Sequence, residues 1–150
     1  MTPETVALET ATATTEIQQL FSTWIEAVRA KDVVARTAHY AADVELFDVV
    51  GPLRHHGRPA LRSRLAEWFS TFEGSVDCEV RDLDIIAGQD VAFCHNLTRF
   101  SGTTANGRLD MWVRFTVGMR KVGTEWVVVH EHASVPFDPA DGLASSDLRP

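Results

Sequence analysis

The hydrophobic period of this chain changes once, at Gly74, and that change limits the fold more than any other feature. Before Gly74 the apolar residues recur mostly at helical spacing; after it they alternate, strand after strand, as far as Pro136. Helices followed by strands make an α+β plan, in which the helices cover one face of a curved antiparallel sheet. A chain of 150 residues has room for one such domain and a real core.

In the helical part, Ile17, Leu20, Phe21, Trp24, Ile25 and Val28 form the stripe of a first helix ending near Lys31. Thr15, with Gln18 three residues on, has the form of a capping box. Residues 1–14 are rich in Thr and Ala without clear period, which predicts a flexible arm. Asp32 can cap a second helix through Val33, Val34, Thr37 and Tyr40. A strand over Val44–Val50 then places Val44, Leu46, Asp48 and Val50 on one face, so Asp48 is the odd member of an apolar set. The Gly- and Pro-containing stretch from Gly51 to Gly57 reads as a loop. Arg58-Pro59 opens a third helix with Leu61, Leu65, Trp68, Phe69 and Phe72 on its stripe.

In the strand part, Cys78 and Val80 alternate in one phase and Leu83 and Ile85 in the other, which predicts a bulge near Arg81-Asp82. Strands over Val91–Ser101, Arg108–Lys121 and Glu125–Val135 follow, with hairpin signals at Asn106-Gly107 and Val122-Gly123. Residues 137–150 are expected to be an irregular tail, leaving a domain over 15–136. A bent sheet closed by helices at one end encloses a pocket at the other.

Composition narrows the partners. A net charge of -7, with no Lys/Arg cluster longer than a pair, argues against nucleic acid. No stretch reaches transmembrane length, and the first residues lack the basic start and unbroken apolar run of an export signal. Cys78 and Cys94 sit among strand residues and read as buried thiols, which points to a reducing cytoplasm.

The order of elements and several local motifs resemble the ketosteroid-isomerase-like and SnoaL-like families of the nuclear transport factor two-like superfamily. The resemblance is carried by Phe21-Ser-Thr-Trp24, Asp48-Val-Val-Gly51, Gly57-Arg-Pro-Ala-Leu61, Trp112-Val-Arg114-Phe-Thr116, Gly123-Thr-Glu-Trp126 and His130-Glu-His132-Ala-Ser134. It implies a cystatin-like cone with an internal pocket, a small-molecule substrate or ligand, no cofactor, and a homodimer packed through the outer sheet face. It also implies acid–base chemistry of the isomerase, cyclase or dehydratase type on a carbonyl-bearing or polyketide-like compound. A non-catalytic binding or dimerisation module of the same fold is the alternative.

By this resemblance Asp48 stands where the steroid isomerases carry a carboxylate that moves a proton beside a carbonyl. Their oxygen-binding donors are not matched: Tyr40 is expected on the second helix rather than the first, and Thr116 falls where an Asp would be. Both departures argue against a true steroid isomerase. On the penultimate strand, Asp110, Trp112, Arg114 and Thr116 share a face, and a two-residue turn at Val122-Gly123 puts Arg114 opposite Glu131 in the cavity wall. Arg114 would then hold an anionic oxygen. The same register turns His130 and His132 outward with Trp126, Val113, Phe115 and Val117, and a slip of one residue reverses all of them. Facing inward, His132 or His130 could act as acid or base, with His95 as a third imidazole. No partner spacing completes a metal site around the pair.

Overall fold

A computed structural model describes all 150 residues. Helix α1 (Pro3–Arg29) starts well before the expected boundary: Thr2 caps it by accepting from the Thr5 backbone N–H, and Pro3 follows where its missing N–H is harmless. The Thr- and Ala-rich segment expected as an arm is thus the opening of this helix. The physical reason lies in its own residues. Ala carries the best helix propensity, and the Thr hydroxyls do not divert the backbone, since those of Thr10, Thr12, Thr14 and Thr15 are satisfied within the helix by the carbonyl four residues back. Ala13, Ile17, Phe21, Trp24, Ala27 and Val28 form the buried stripe.

Helix α2 (Val33–Arg36) is capped by Asp32, which accepts from Ala35 N at 2.9 Å, and stops at Thr37. Tyr40 is therefore not helical; it opens β1 (Tyr40–Phe47). Val44 and Leu46 point into the core as the alternation requires, and Asp48 is the first residue beyond the strand. The short β2 (His55–His56) pairs antiparallel with β1. Gly57 precedes α3 (Arg58–Ser70) at φ +88°, a conformation that side chains with a Cβ rarely adopt. Strand β3 (Phe72–Ala87) begins earlier than expected, so Phe72 belongs to it rather than to α3.

Strands β3, β4 (Val91–Thr104), β5 (Gly107–Val122) and β6 (Glu125–Ser134) form a meander in a six-stranded sheet of order β2-β1-β6-β5-β4-β3. All neighbours are antiparallel except β1 and β6, which run parallel, so the sheet is mixed where an antiparallel one was expected. The bulge at Arg81–Asp84 lies where the phase change placed it, with Asp82 at φ +54°.

The last hairpin decides which side chains face inward. Val122 pairs with Glu125, so the turn is Gly123-Thr124, one residue later than expected. That shift alone would keep the same faces together. A second irregularity does not: Met119 pairs with Val128 but Gly118 pairs with His130, leaving Val129 as an extra residue in β6. Before the bulge Trp126 and Val128 are buried; after it Glu131 and Ala133 are. Two apolar clusters result, one joining Ile17, Phe21 and Trp24 of α1 to Val117, Met119, Trp126 and Val128, the other joining Val28, Phe69, Phe72, Val76 and Cys78. No helix is long and apolar enough to cross a membrane.

Candidate functional site

Residues of both clusters line a chamber of about 280 Å³ between the helices and the inner sheet face, and 13 of its 18 lining residues are hydrophobic. Four are charged: Arg36 from α2, Asp48 from the end of β1, Arg64 from α3 and Glu131 from β6. They form two ion pairs.

At one end, Arg64 Nε donates to Asp48 Oδ2 at 2.6 Å, and the Val49 backbone N–H donates to Asp48 Oδ1 at 2.7 Å. The side chains of Asp48 and Arg64 are 18% and 17% exposed, because the loop after Asp48 borders an open groove shared with Leu53, Arg54 and His132. At the other end, Arg36 Nη2 donates to Glu131 Oε1 at 3.1 Å and Oε2 at 3.4 Å. Tyr40 OH also donates to Glu131 Oε2 and accepts from Arg36 Nη1. Arg36 lies over the rings of Trp24 and Tyr40, 4.9 Å and 5.1 Å from their centroids. Burial pushes the Tyr40 phenol well above its ordinary value, reinforced by the Glu131 carboxylate and opposed by Arg36. Burial alone would lower the Arg36 guanidinium, but Tyr40 and Glu131 hold it above its ordinary value.

Behind this second pair lies a small cavity of about 30 Å³, which shares Val28, Arg36, Phe100, Phe115 and Glu131 with the chamber and adds Trp24, Asn96 and Thr98. The site is thus an apolar chamber with one partly wet ionic end and one dry ionic end.

The profile described as a SnoaL-like domain matches residues 17–138. The chain belongs to this SnoaL-like family. Among solved structures it is similar to an NTF2-like protein of unknown function from Pseudomonas putida, at 33% identity and TM-score 0.85 over 93% of this chain and 98% of that one. A chain from Streptomyces avermitilis, named a candidate dehydratase of the NTF2-like family, gives TM-score 0.74 at 14% identity, covering 85% of this chain and 99% of its own. A ketosteroid isomerase-like protein from Erwinia carotovora gives TM-score 0.68 at 20% identity, covering 80% and 93%. No curated protein gives a match.

In this SnoaL-like domain the expected site residues separate into two groups. Asp48 and Glu131 face the chamber, and Tyr40 lies behind Glu131. Unbroken alternation along β5 puts Val113, Phe115 and Val117 inside and Asp110, Trp112, Arg114 and Thr116 on the outer face, and the bulge at Val129 turns His130 and His132 to that same face. Arg114 pairs across the strands with Ser134, to whose Oγ it donates at 3.2 Å, rather than with Glu131. Trp112 lies under Arg81, 4.8 Å from ring centroid to guanidinium carbon. Asp110 accepts two bonds from Arg99, both at 2.8 Å, which hold its carboxyl below the usual range. His95 sits 3.4 Å from Asp84, exposed, and His130 and His132 stack edge-on against Phe47. No group of three His, Cys, Asp or Glu side chains comes together as a metal site.

The site also contains polar groups that the sequence reading missed. Arg64 lies on the same stripe as Leu61, Leu65 and Trp68, and a cation inside an apolar stripe is a visible signal. Asn96 sits in the inward phase of β4 between Cys94 and Thr98, where alternation could have flagged it. Arg36 ends a helix of only four residues, which gives no periodicity to read.

Proposed function

We propose that this SnoaL-like domain is a cofactor-independent acid–base enzyme of the isomerase, cyclase or dehydratase type, acting on a small, mostly apolar carbonyl compound. The observation that carries the proposal is the Asp48 carboxylate on the wall of an otherwise largely apolar chamber of about 280 Å³. In this reading an Asp48 oxygen takes a proton from a carbon beside a carbonyl and returns it to the same intermediate. Arg64 and the Val49 N–H fix the carboxylate's direction, and the cation available to an anionic oxygen is Arg36, in the role the sequence suggested for Arg114. Solved structures named dehydratase and ketosteroid isomerase-like support this class through the fold alone.

The test needs no natural substrate. Ketones that fit the chamber are incubated with the protein in deuterated buffer, and exchange of the proton beside the carbonyl is followed by NMR. Exchange is expected with the native chain, with a loss of about 10²–10⁴-fold in Asp48→Asn while ketone-induced thermal stabilisation persists. Stabilisation without exchange in either form would support the binding-module alternative.

We further propose that a second copy of the chain packs on the outer sheet face. Phe47, Phe93 and Ile86 are 36%, 46% and 49% exposed there; Phe47 pairs across the strands with His132, and Phe93 with Ile86 and Gly118. Sedimentation should give a dimer that Phe93→Asp splits; a native monomer at high micromolar concentration would overturn this.

A further inference from the structure

We propose that the small cavity takes a hydroxyl oxygen, supplied either by water or by an alcohol group of a molecule in the chamber. The second source rests on the reading of the chamber as a binding site; the first does not.

Two N–H donors of residues lining this cavity, Trp24 Nε1 and Asn96 Nδ2, are buried without a hydrogen-bond partner in the protein. Both residues are 4% exposed. Buried donors of this kind are rare and costly, so two beside one cavity call for an occupant. Asn96 is held by its other end: the Thr98 hydroxyl bonds to Asn96 Oδ1 at 2.6 Å, which leaves Nδ2 for something else. The cavity volume of about 30 Å³ is larger than the roughly 10–15 Å³ that one water needs.

The chemistry of the wall selects among occupants. Besides the two donors, the wall carries Arg36 and the Glu131 carboxylate. Glu131 Oε1 accepts only one bond, from Arg36, so it has acceptor capacity to spare. A carbonyl oxygen would satisfy the donors but meet Glu131 as one acceptor against another. An ammonium group would satisfy Glu131 but face two N–H groups and a guanidinium. A hydroxyl both accepts and donates, and so fits both halves of the wall. Because Phe100, Phe115, Arg36 and Glu131 line both spaces, the cavity adjoins the chamber, and a terminal alcohol on an apolar molecule there is the second candidate occupant.

The experiment combines a crystal structure at high resolution with calorimetric binding of 3-phenylpropan-1-ol and propylbenzene, for the native chain and for Asn96→Leu/Thr98→Val. If a bound alcohol fills the cavity, its hydroxyl lies within hydrogen-bond distance of Asn96 Nδ2 or Trp24 Nε1. It then binds about tenfold more tightly than the hydrocarbon, and the preference disappears in the double variant. If water fills it, ordered water stays there in both complexes and the two probes bind alike. If neither probe binds but the water is present, the water assignment stands and the proposal for the chamber loses its support. A dry cavity with equal binding overturns the inference. Melting temperature gives a second reading: replacing both partners of the Asn96–Thr98 bond by apolar groups of similar shape leaves a dry cavity unchanged or more stable, whereas an occupied one loses stability. Should the double variant not fold, Trp24→Phe with the same two probes serves the same purpose.

Discussion

Arg36–Glu131 and Arg64–Asp48 are the same chemical pair, a guanidinium on a carboxylate at 3.1 Å and 2.6 Å, set in different surroundings. The first has side chains 12% and 6% exposed, is joined by the Tyr40 hydroxyl and lies under Trp24. The second borders an open groove and has one backbone N–H for company. Burial makes the first pair costly to break, since losing one partner strands the other in a dry wall. Partial hydration makes the second pair cheaper to open. A chamber that joins both carries a rigid end and an adjustable one.

Breaking each pair in turn is the sharpest test of that contrast. Arg36→Leu should destabilise the fold by about 3–5 kcal/mol, because Glu131 and Tyr40 lose their shared cation. Arg64→Leu should cost about 1 kcal/mol, since Asp48 keeps water and the Val49 N–H. Urea unfolding measures both, and equal losses would erase the distinction. Raising the pH attacks the dry end selectively. Burial pushes the thiols of Cys78 up to about 11 and Cys94 up to about 12 from 9.0, and lifts Tyr40 above 10.0. A folded value above the unfolded one means a contribution fully present below the unfolded value and lost as pH rises toward the folded one. Stability should therefore fall from about pH 9 upward, and Cys94→Val should flatten the fall between pH 9 and 12 in urea titrations. The smallest effect is expected outside the chamber: Arg114→Ala should change stability by less than about 0.5 kcal/mol and leave the binding of chamber ligands unaltered. A loss of affinity comparable to that in Arg36→Leu would return Arg114 to the site.

How much of this could be read in the sequence follows from how each residue's direction is set. Val44, Leu46 and Asp48 alternate without interruption, so the inward position of Asp48 was visible. The bulge at Arg81–Asp84 was visible too, because apolar residues on both sides of it changed phase. The bulge at Val129 lies within Val127-Val-Val129, where neighbouring residues are alike and a phase change leaves no mark. That one hidden residue puts Glu131 inside although Arg114 and Thr116, on a strand that alternates unbroken through Val113, Val117 and Met119, face out. Tyr40 was misassigned for a different reason: α2 ends at Thr37 through packing and capping, which a helical spacing of apolar residues does not report. Pairing of β1 with β6 in parallel likewise depends on how the helices return the chain to the sheet.

The extra residue at Val129 also means that β6 is two half-strands with opposite orientations. Drawing Val129 into the ladder opposite Gly118 would put His130 and His132 on the chamber wall in place of Glu131, with no side chain altered. Among chains of this shape, the groups on the chamber wall could thus be replaced by a shift in strand pairing, and comparing sequences column by column across this point would pair residues that never occupy the same side of the sheet.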